Sequence, residues 1–194
     1  SEMCIRDRMG PIARMLADAP ERPGIRLLYI TPLRALSRDL AHAIRQPIQA
    51  MGWPLRVAIR NGDSSSSERS RQLKSPPHIL VTTPESLTLL LSNPKAEELF
   101  SALETVVLDE WHELMGSKRG SQTELCLSWL RQHRPTLQTW AISATIGNLD
   151  QAARHALGLS GKPVIVGGAP VRTTEIRSLL PDSIDGFPWA GHLG

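Results

Sequence analysis

The stretch TVVL (Thr105 to Leu108) runs straight into DEWH (Asp109 to His112), so four residues of strand character deliver two adjacent carboxylates and an imidazole at one point. Similar runs lie on either side: IRLLYI (Ile25 to Ile30), HILV (His78 to Val81), TWAI (Thr139 to Ile142) and PVIV (Pro163 to Val166). Strands that are apolar on both faces belong inside parallel sheets. LRVAI (Leu55 to Ile59) alternates more and is expected at the periphery. Between these runs, Leu36, Leu40, Ile44, Ile48 and Met51 recur at helical spacing, as do Leu125, Cys126, Trp129 and Leu130, each set predicting one buried stripe. Strand then helix, repeated, predicts an α/β domain with a parallel sheet flanked by helices.

Local signals place the boundaries. Pro47 is expected to kink or end the first of these helices, and Pro84 and Asn148 sit where helices can begin. The polar tract GDSSSS (Gly62 to Ser67) reads as a loop able to cap a helix starting near Glu68. Residues 1–8 (SEMCIRDR) show no period and are expected to hold no native element, with the folded part starting at Met9. After Val166 the texture turns to Gly, Pro and polar residues, so 169–194 reads as a connector toward another domain.

At 194 residues, 41% hydrophobic and 21% charged, the chain suits one globular domain. The 22 Lys+Arg against 19 Asp+Glu leave a formal charge of only +3, so contacts with a polyanion must be local. No apolar run is long enough to span a membrane, and Arg6, Asp7, Arg8 and Arg14 leave no apolar core for a secretory signal, so the expectation is a cytoplasmic chain. Cys4 and Cys126 have no metal-ligand spacing and read as two unrelated thiols.

In open parallel sheets the carboxyl ends of the strands line the ligand crevice. Asp109 and Glu110 therefore sit where a phosphate ligand and Mg²⁺ would bind, since Mg²⁺ takes one or two carboxylates together with water and phosphate oxygens. An acidic pair that merely caps the next helix is the alternative on these residues alone. Three further sequences stand at strand ends: TPLRAL (Thr31 to Leu36), TTPES (Thr82 to Ser86) and SAT (Ser143 to Thr145).

In this order the four resemble motifs Ia, Ib, II (in its DExH form) and III of the first motor domain of superfamily 2 helicases, over Ile25 to Leu157. DEWHELMGSKRG, SATIGNLDQA and PWAGHLG narrow the resemblance to the Lhr-like branch, and within it to bacterial ligase-associated DNA helicases. The implied fold is RecA-like, of the P-loop NTPase type, with residues 9–168 forming part of the first such domain. The resemblance further implies ATP and Mg²⁺ as cofactors, 3′ to 5′ movement on single-stranded or tailed duplex DNA, and work beside DNA ligase or a repair nuclease in a bacterial cytoplasm.

Carried over residue by residue, Asp109 holds Mg²⁺ and Glu110 activates water, while His112, Ser143 and Thr145 couple hydrolysis to movement. Strand contacts fall to Pro32, Leu33 and Arg34 of motif Ia and to Thr83, Pro84 and Ser86 of motif Ib. Glu85 is expected to position the loop. Gly62, in a GD-containing segment, and Lys118 and Arg119, in GSKRG, complete the set. Helix capping by Ser143, Thr145, Thr83 and Ser86, a simple turn at Gly62, and solvated cations at Lys118 and Arg119 remain open on the residues alone.

One departure is large. No G-x-x-x-x-G-K-[ST] phosphate loop occurs among the 194 residues, so the strand and loop that would carry it are expected to be missing from the amino-terminal side and the chain alone is expected to be inactive. A non-catalytic module binding nucleic acid or a partner, and a piece of an RNA helicase, are the competing readings.

Overall fold

The computed structural model describes residues 3–18, 22–144, 146–158 and 162–167. Thr105 to Leu108 form β4 with the predicted bounds, every residue buried. Around it lie β1 (Leu27–Ile30), β2 (Val57–Arg60), β3 (Ile79–Thr82) and β5 (Gln138–Ala141), all parallel, in the order β2-β3-β1-β4-β5. LRVAI supplies β2 at one edge, half-buried throughout, as its weaker pattern predicts.

Alternation along each strand separates two cores, because successive side chains in a strand point to opposite faces. Leu27, Tyr29, Ile79, Val81 and Val107 face α1 (Met3–Ala17) and α2 (Arg34–Ala50), where Ile12, Met15, Leu40, Ile44 and Ile48 are buried. Leu28, Ile30, Leu80, Val106 and Leu108 face the other way. Against them pack α4 (Pro84–Leu91), α5 (Ala96–Phe100), α6 (Trp111–Leu114), α7 (Lys118–His133) and α8 (Leu149–Leu157). Burying each such Leu or Ile contributes roughly 1.5–3 kcal/mol, so the two stripes dominate the packing. The short α3 (Ser66–Lys74) buries no residue fully and depends on its cap instead. Ser65 and Glu68 form a reciprocal capping box there, as GDSSSS anticipates.

The structure revises several expectations. α1 begins at Met3, inside the segment whose lack of period predicts no element. Pro47 does not end α2, which continues to Ala50; the proline costs one main-chain bond, to the carbonyl of Ala43, while Ile44 and Ile48 on either side of it are buried and hold the last turns on the sheet. The buried stripe of α7 is Thr123, Cys126, Leu127 and Leu130, whereas Leu125 points to solvent at 73% exposure. Met51 is likewise exposed, as the C-cap of α2. β5 stands at an edge of the five-stranded sheet with exposed and half-buried residues rather than in its middle. Pro163 to Val166 form no strand and are exposed; a parallel strand exists only beside a neighbour, and none among the described residues pairs with them. Residues up to Val164 form one compact unit, and the connector at 169–194 lies outside the described residues.

At the amino ends of the strands a fully buried Arg26 holds α1 to the sheet. Its guanidinium donates to Glu104 at 2.8 Å and to the carbonyls of Met15 and Asp18, each at 3.0 Å. Beside it His78 accepts the Arg56 amide at 2.9 Å on Nδ1. Burial, with the neighbouring Arg56 and Arg26 cations, pushes the His78 pKa down, so the folded state favours the neutral ring. A histidine whose folded pKa is lowered binds fewer protons than in the unfolded chain, so stability is complete above its ordinary value and declines as pH falls below it. The melting temperature should therefore drop from pH 7.5 to pH 5.5, within about two units of the ordinary histidine value near 6.5, and His78→Gln should flatten that segment. An unaltered slope in the variant would contradict the assignment.

Candidate functional site

Parallel strands in register end together, so their following residues share one edge of the sheet. Ile30 is level with Thr82 and with Leu108, and Leu108 with Ala141. Main-chain bonds extend the pairing past the strands: Thr31 N–H to Thr82 O, Asp109 N–H to Ile30 O and Ile142 N–H to Leu108 O, each 2.9 Å. Residues of TPLRAL, TTPES, DEWH and SAT are thereby brought to one edge, as their positions in the sequence predict.

Asp109 and Glu110 leave the end of β4 in an unusual turn. Glu110 has φ 49 and ψ 48, the only positive φ outside glycine among the described residues. A left-handed conformation costs roughly 1–2 kcal/mol at a residue with a Cβ, so fixed neighbours must impose it. They are present on both sides. Asp109 is tied to β1, and the Trp111 N–H donates to Ile142 O at 3.0 Å. The Trp111 indole is wholly buried and donates through Nε1 to the Ala152 carbonyl of α8 at 3.1 Å. The third residue of DEWH thus anchors the turn while its carboxylates remain partly open to solvent. Only the general rule that a buried indole N–H needs an acceptor hints at this bond in the sequence, which does not identify α8 as the partner.

His112 faces SAT. Its Nδ1 lies 2.8 Å from Ser143 Oγ and 3.4 Å from Glu110 Oε2, and its Nε2 lies 3.4 Å from Glu113 Oε1. One imidazole therefore touches both the DEWH carboxylate and the SAT hydroxyl, and either tautomer can bond with a hydroxyl that both donates and accepts. Thr145 lies outside the described residues.

In motif Ia, Pro32 is buried and Leu33 is 55% exposed. Arg34 opens α2 and donates to Asp63 at 3.0 Å, across the loop that follows β2. A Cβ on Gly62 would come within 2.6 Å of that guanidinium, so glycine here permits the close approach of Arg34 rather than a special turn. Arg38, one turn along α2, donates to the other oxygen of Asp63 at 2.6 Å. Its spacing of four from Arg34 is the available sequence signal for this residue, which the motif resemblance does not single out.

In motif Ib, Thr83 and Ser86 are buried, with Thr83 Oγ1 donating to Ser86 Oγ at 3.4 Å, and Pro84 is the first residue of α4. Glu85 turns outward and accepts two bonds from Arg119, from Nε at 2.5 Å and from Nη2 at 3.2 Å. Partial burial pushes the Glu85 carboxyl up, but the Arg119 bond, its own amide and Thr83 together hold it below the usual range. GSKRG is built by short-range needs. Gly116 has φ +72, Ser117 caps α7 by accepting the Gly120 amide at 3.1 Å, and a Cβ on Gly120 would collide with the Leu114 carbonyl. Lys118 is exposed at the start of α7.

The carboxylates of Asp109 and Glu110 are hard oxygen donors of the kind Mg²⁺ takes, in the number it takes when phosphates and waters complete its shell. Among the described residues there is no cluster of three or more acidic, His or Cys side chains that could hold a metal ion. Likewise, no helix among them is long and apolar enough to cross a membrane.

Residues 9–152 match the family described as DEAD/DEAH box helicase. The chain belongs to that family. The ATP-dependent helicase Lhr-Core of Methanothermobacter thermautotrophicus is 37% identical over 158 residues, covering 77% of this chain and 18% of that protein. The Lhr helicase/uracil glycosylase of Escherichia coli is 36% identical over 176 residues, covering 84% of this chain and 11% of its own length. Among solved structures, helicase Lhr of Mycobacterium smegmatis bound to ssDNA and AMP-PNP aligns with a TM-score of 0.67 at 31% identity, over 76% of this chain and 20% of that one. The RecA-like fold and the Lhr resemblance thus agree with the motif reading. The chain spans between about a tenth and a fifth of the length of the curated relatives it matches.

The Trp111 bond tests whether the DEWH turn is braced from α8. Trp111→Phe removes this bond, although the Ala152 carbonyl keeps its main-chain donor within α8, and leaves a gap where the wholly buried indole packed, so urea unfolding should show a loss of about 1–3 kcal/mol. Stability equal to the parent chain would contradict the bracing role.

Proposed function

We propose that this chain is an incomplete part of the nucleotide-hydrolysing domain of an ATP-dependent DNA helicase or translocase that moves 3′ to 5′ along a single strand. The placement of Asp109 and Glu110 at the end of β4, with His112 bridging Glu110 to Ser143, carries the reading. Asp109 is the residue to hold Mg²⁺, which when bound neutralises developing charge on the phosphates. Glu110, held in its left-handed turn, orients the attacking water and accepts its proton. His112 and Ser143 then relay the state of that site to the loops of motifs Ia and Ib, with Thr145 assigned to the same task by resemblance.

Strand contact is assigned to Pro32, Leu33 and Arg34, to the α4 start at Thr83, Pro84 and Ser86, and to Gly62, Lys118 and Arg119. Apart from the two prolines, which have no N–H and can only shape their loops, these positions can bind phosphate through amides, hydroxyls and cations, which hold a strand without reading its bases. A DNA substrate is supported by the Lhr neighbour, described as bound to ssDNA, and by helicase MrfA, described as bound to DNA, with a TM-score of 0.65 at 26% identity. A bacterial cytoplasmic setting beside DNA ligase or a repair nuclease rests on the DEWHELMGSKRG and PWAGHLG resemblance.

The ATP phosphates need a cradle that these 194 residues do not encode. β5 pairs on one side only among the described residues, which leaves an edge for a further strand carrying that loop. The chain alone should therefore hydrolyse no ATP, whereas a helicase that contains it should show hydrolysis stimulated by single-stranded DNA. In that longer protein Glu110→Gln should lower kcat by about 10²–10⁴-fold with little change in KM, in line with the loss of a general base. Hydrolysis by the 194-residue chain, or full activity of the Glu110→Gln protein, would contradict the proposal.

A further inference from the structure

The loop after β2 is built more firmly than a connection requires. Asn61 is 2% exposed, and its Nδ2 donates at 2.8 Å to Ser37 Oγ, which is fully buried in α2 and itself donates at 2.6 Å to the Arg34 carbonyl. Asn61 Oδ1 accepts the Asp63 amide at 3.0 Å, and Arg69 donates to the carbonyls of Asn61 and Gly62. This buried chain of bonds fixes the Asp63 carboxylate relative to the first turn of α2. There it holds two guanidinium groups at once, Oδ1 accepting from Arg34 Nη1 at 3.0 Å and Oδ2 from Arg38 Nη2 at 2.6 Å.

The two arginines are four residues apart on one helix, so they lie side by side on one face. Their side chains are 63% and 65% exposed, so although one N–H of each is committed to Asp63, most of each five-donor fork still faces solvent. The cluster retains a net positive charge, two cations against one anion. Planar forks held at a set spacing suit phosphate oxygens, and prior ordering lowers the entropy lost on binding. An ion pair at this exposure is worth little as a contribution to stability, so stability does not explain why both guanidinium groups are gathered on one carboxylate.

We propose that Arg34 and Arg38 form a paired site for consecutive phosphates of one DNA strand, and that Asp63 is the residue that positions both forks. The inference rests on the strand-binding reading above and adds to it a second phosphate-binding group, Arg38, and a function for the Gly62-Asp63 loop. Gly62 belongs to the device, since any side chain there would displace the Arg34 guanidinium without altering charge.

The test is binding of labelled oligodeoxythymidine to the 194-residue chain, followed by anisotropy between about 50 and 200 mM salt, with folding of each variant checked by thermal melting. Arg38→Ala should weaken binding several-fold and reduce the salt slope by about 0.7, the value for one phosphate fewer neutralised on a single strand. Arg38→Lys, which keeps the charge and loses the fork, should fall between the two. Gly62→Ala should weaken binding at constant net charge. Asp63→Ala should also weaken it, although the added positive charge alone would tighten it; tighter binding would overturn the positioning role. If the parent chain binds and Arg34→Ala weakens it, while Arg38→Ala, Gly62→Ala and Asp63→Ala match the parent, the pair is overturned and the strand-binding reading stands. If the parent chain binds no strand at all, both fall.

Discussion

Every candidate site position in this chain depends on the in-register parallel pairing of five short strands. Leu27 is level with Ile79 and with Thr105, and Thr105 is level with Gln138, so the strands finish together and the residues after each end converge on one edge. Parallel pairing also demands crossovers, and the helices that provide them cover both faces of the sheet with separate apolar cores. The carboxylates after β4, the hydroxyl after β5 and the helix starts after β1 and β3 are thus neighbours because of topology, although 112 residues separate Thr31 from Ser143. Bonds running past the strand ends, such as Asp109 N–H to Ile30 O, hold that edge in place.

Within that edge the strained and the well-anchored parts alternate. Glu110 occupies a left-handed turn, and the fully buried Trp111 next to it pins both its own backbone to the end of β5 and its indole to α8. Asp63 and Arg34 stand in solvent, and Asn61 and Ser37 beneath them form a buried hydrogen-bonded pair. In both places a solvent-facing group is backed by a buried one. Such support is what a site needs if its polar groups are to hold their geometry without a ligand.

Much of the fold could be read from the sequence because strands buried on both faces leave continuous apolar runs, and TVVL forms β4 with its predicted bounds. What failed was what depends on neighbours. PVIV has the composition of a strand but no partner among the described residues, and TWAI has the composition of a central strand yet lies at an edge. Leu125 keeps helical spacing with Trp129, but its side chain points away from the core that buries Cys126 and Leu130. At the site, the order of motifs located the loops, since each follows a strand. The Asp63 bridge, the Glu85–Arg119 pair and the Trp111–Ala152 bond join residues 25 to 41 positions apart, and no local pattern encodes such contacts.

A net charge of +3 sets this chain apart from proteins that attract nucleic acid through bulk positive charge. Its cations are placed rather than numerous, with Arg34 and Arg38 held by Asp63 and Arg119 held by Glu85. The central claim is therefore that one edge of the sheet binds the strand. Amide chemical shifts measured during titration with oligodeoxythymidine test it most directly. Binding at that edge predicts shifts confined to residues 31–38, 61–63, 83–86 and 117–120, and none near residues 52–56, 75–78 or 101–104 at the opposite edge. Shifts centred on that opposite edge, or scattered over both, would contradict it.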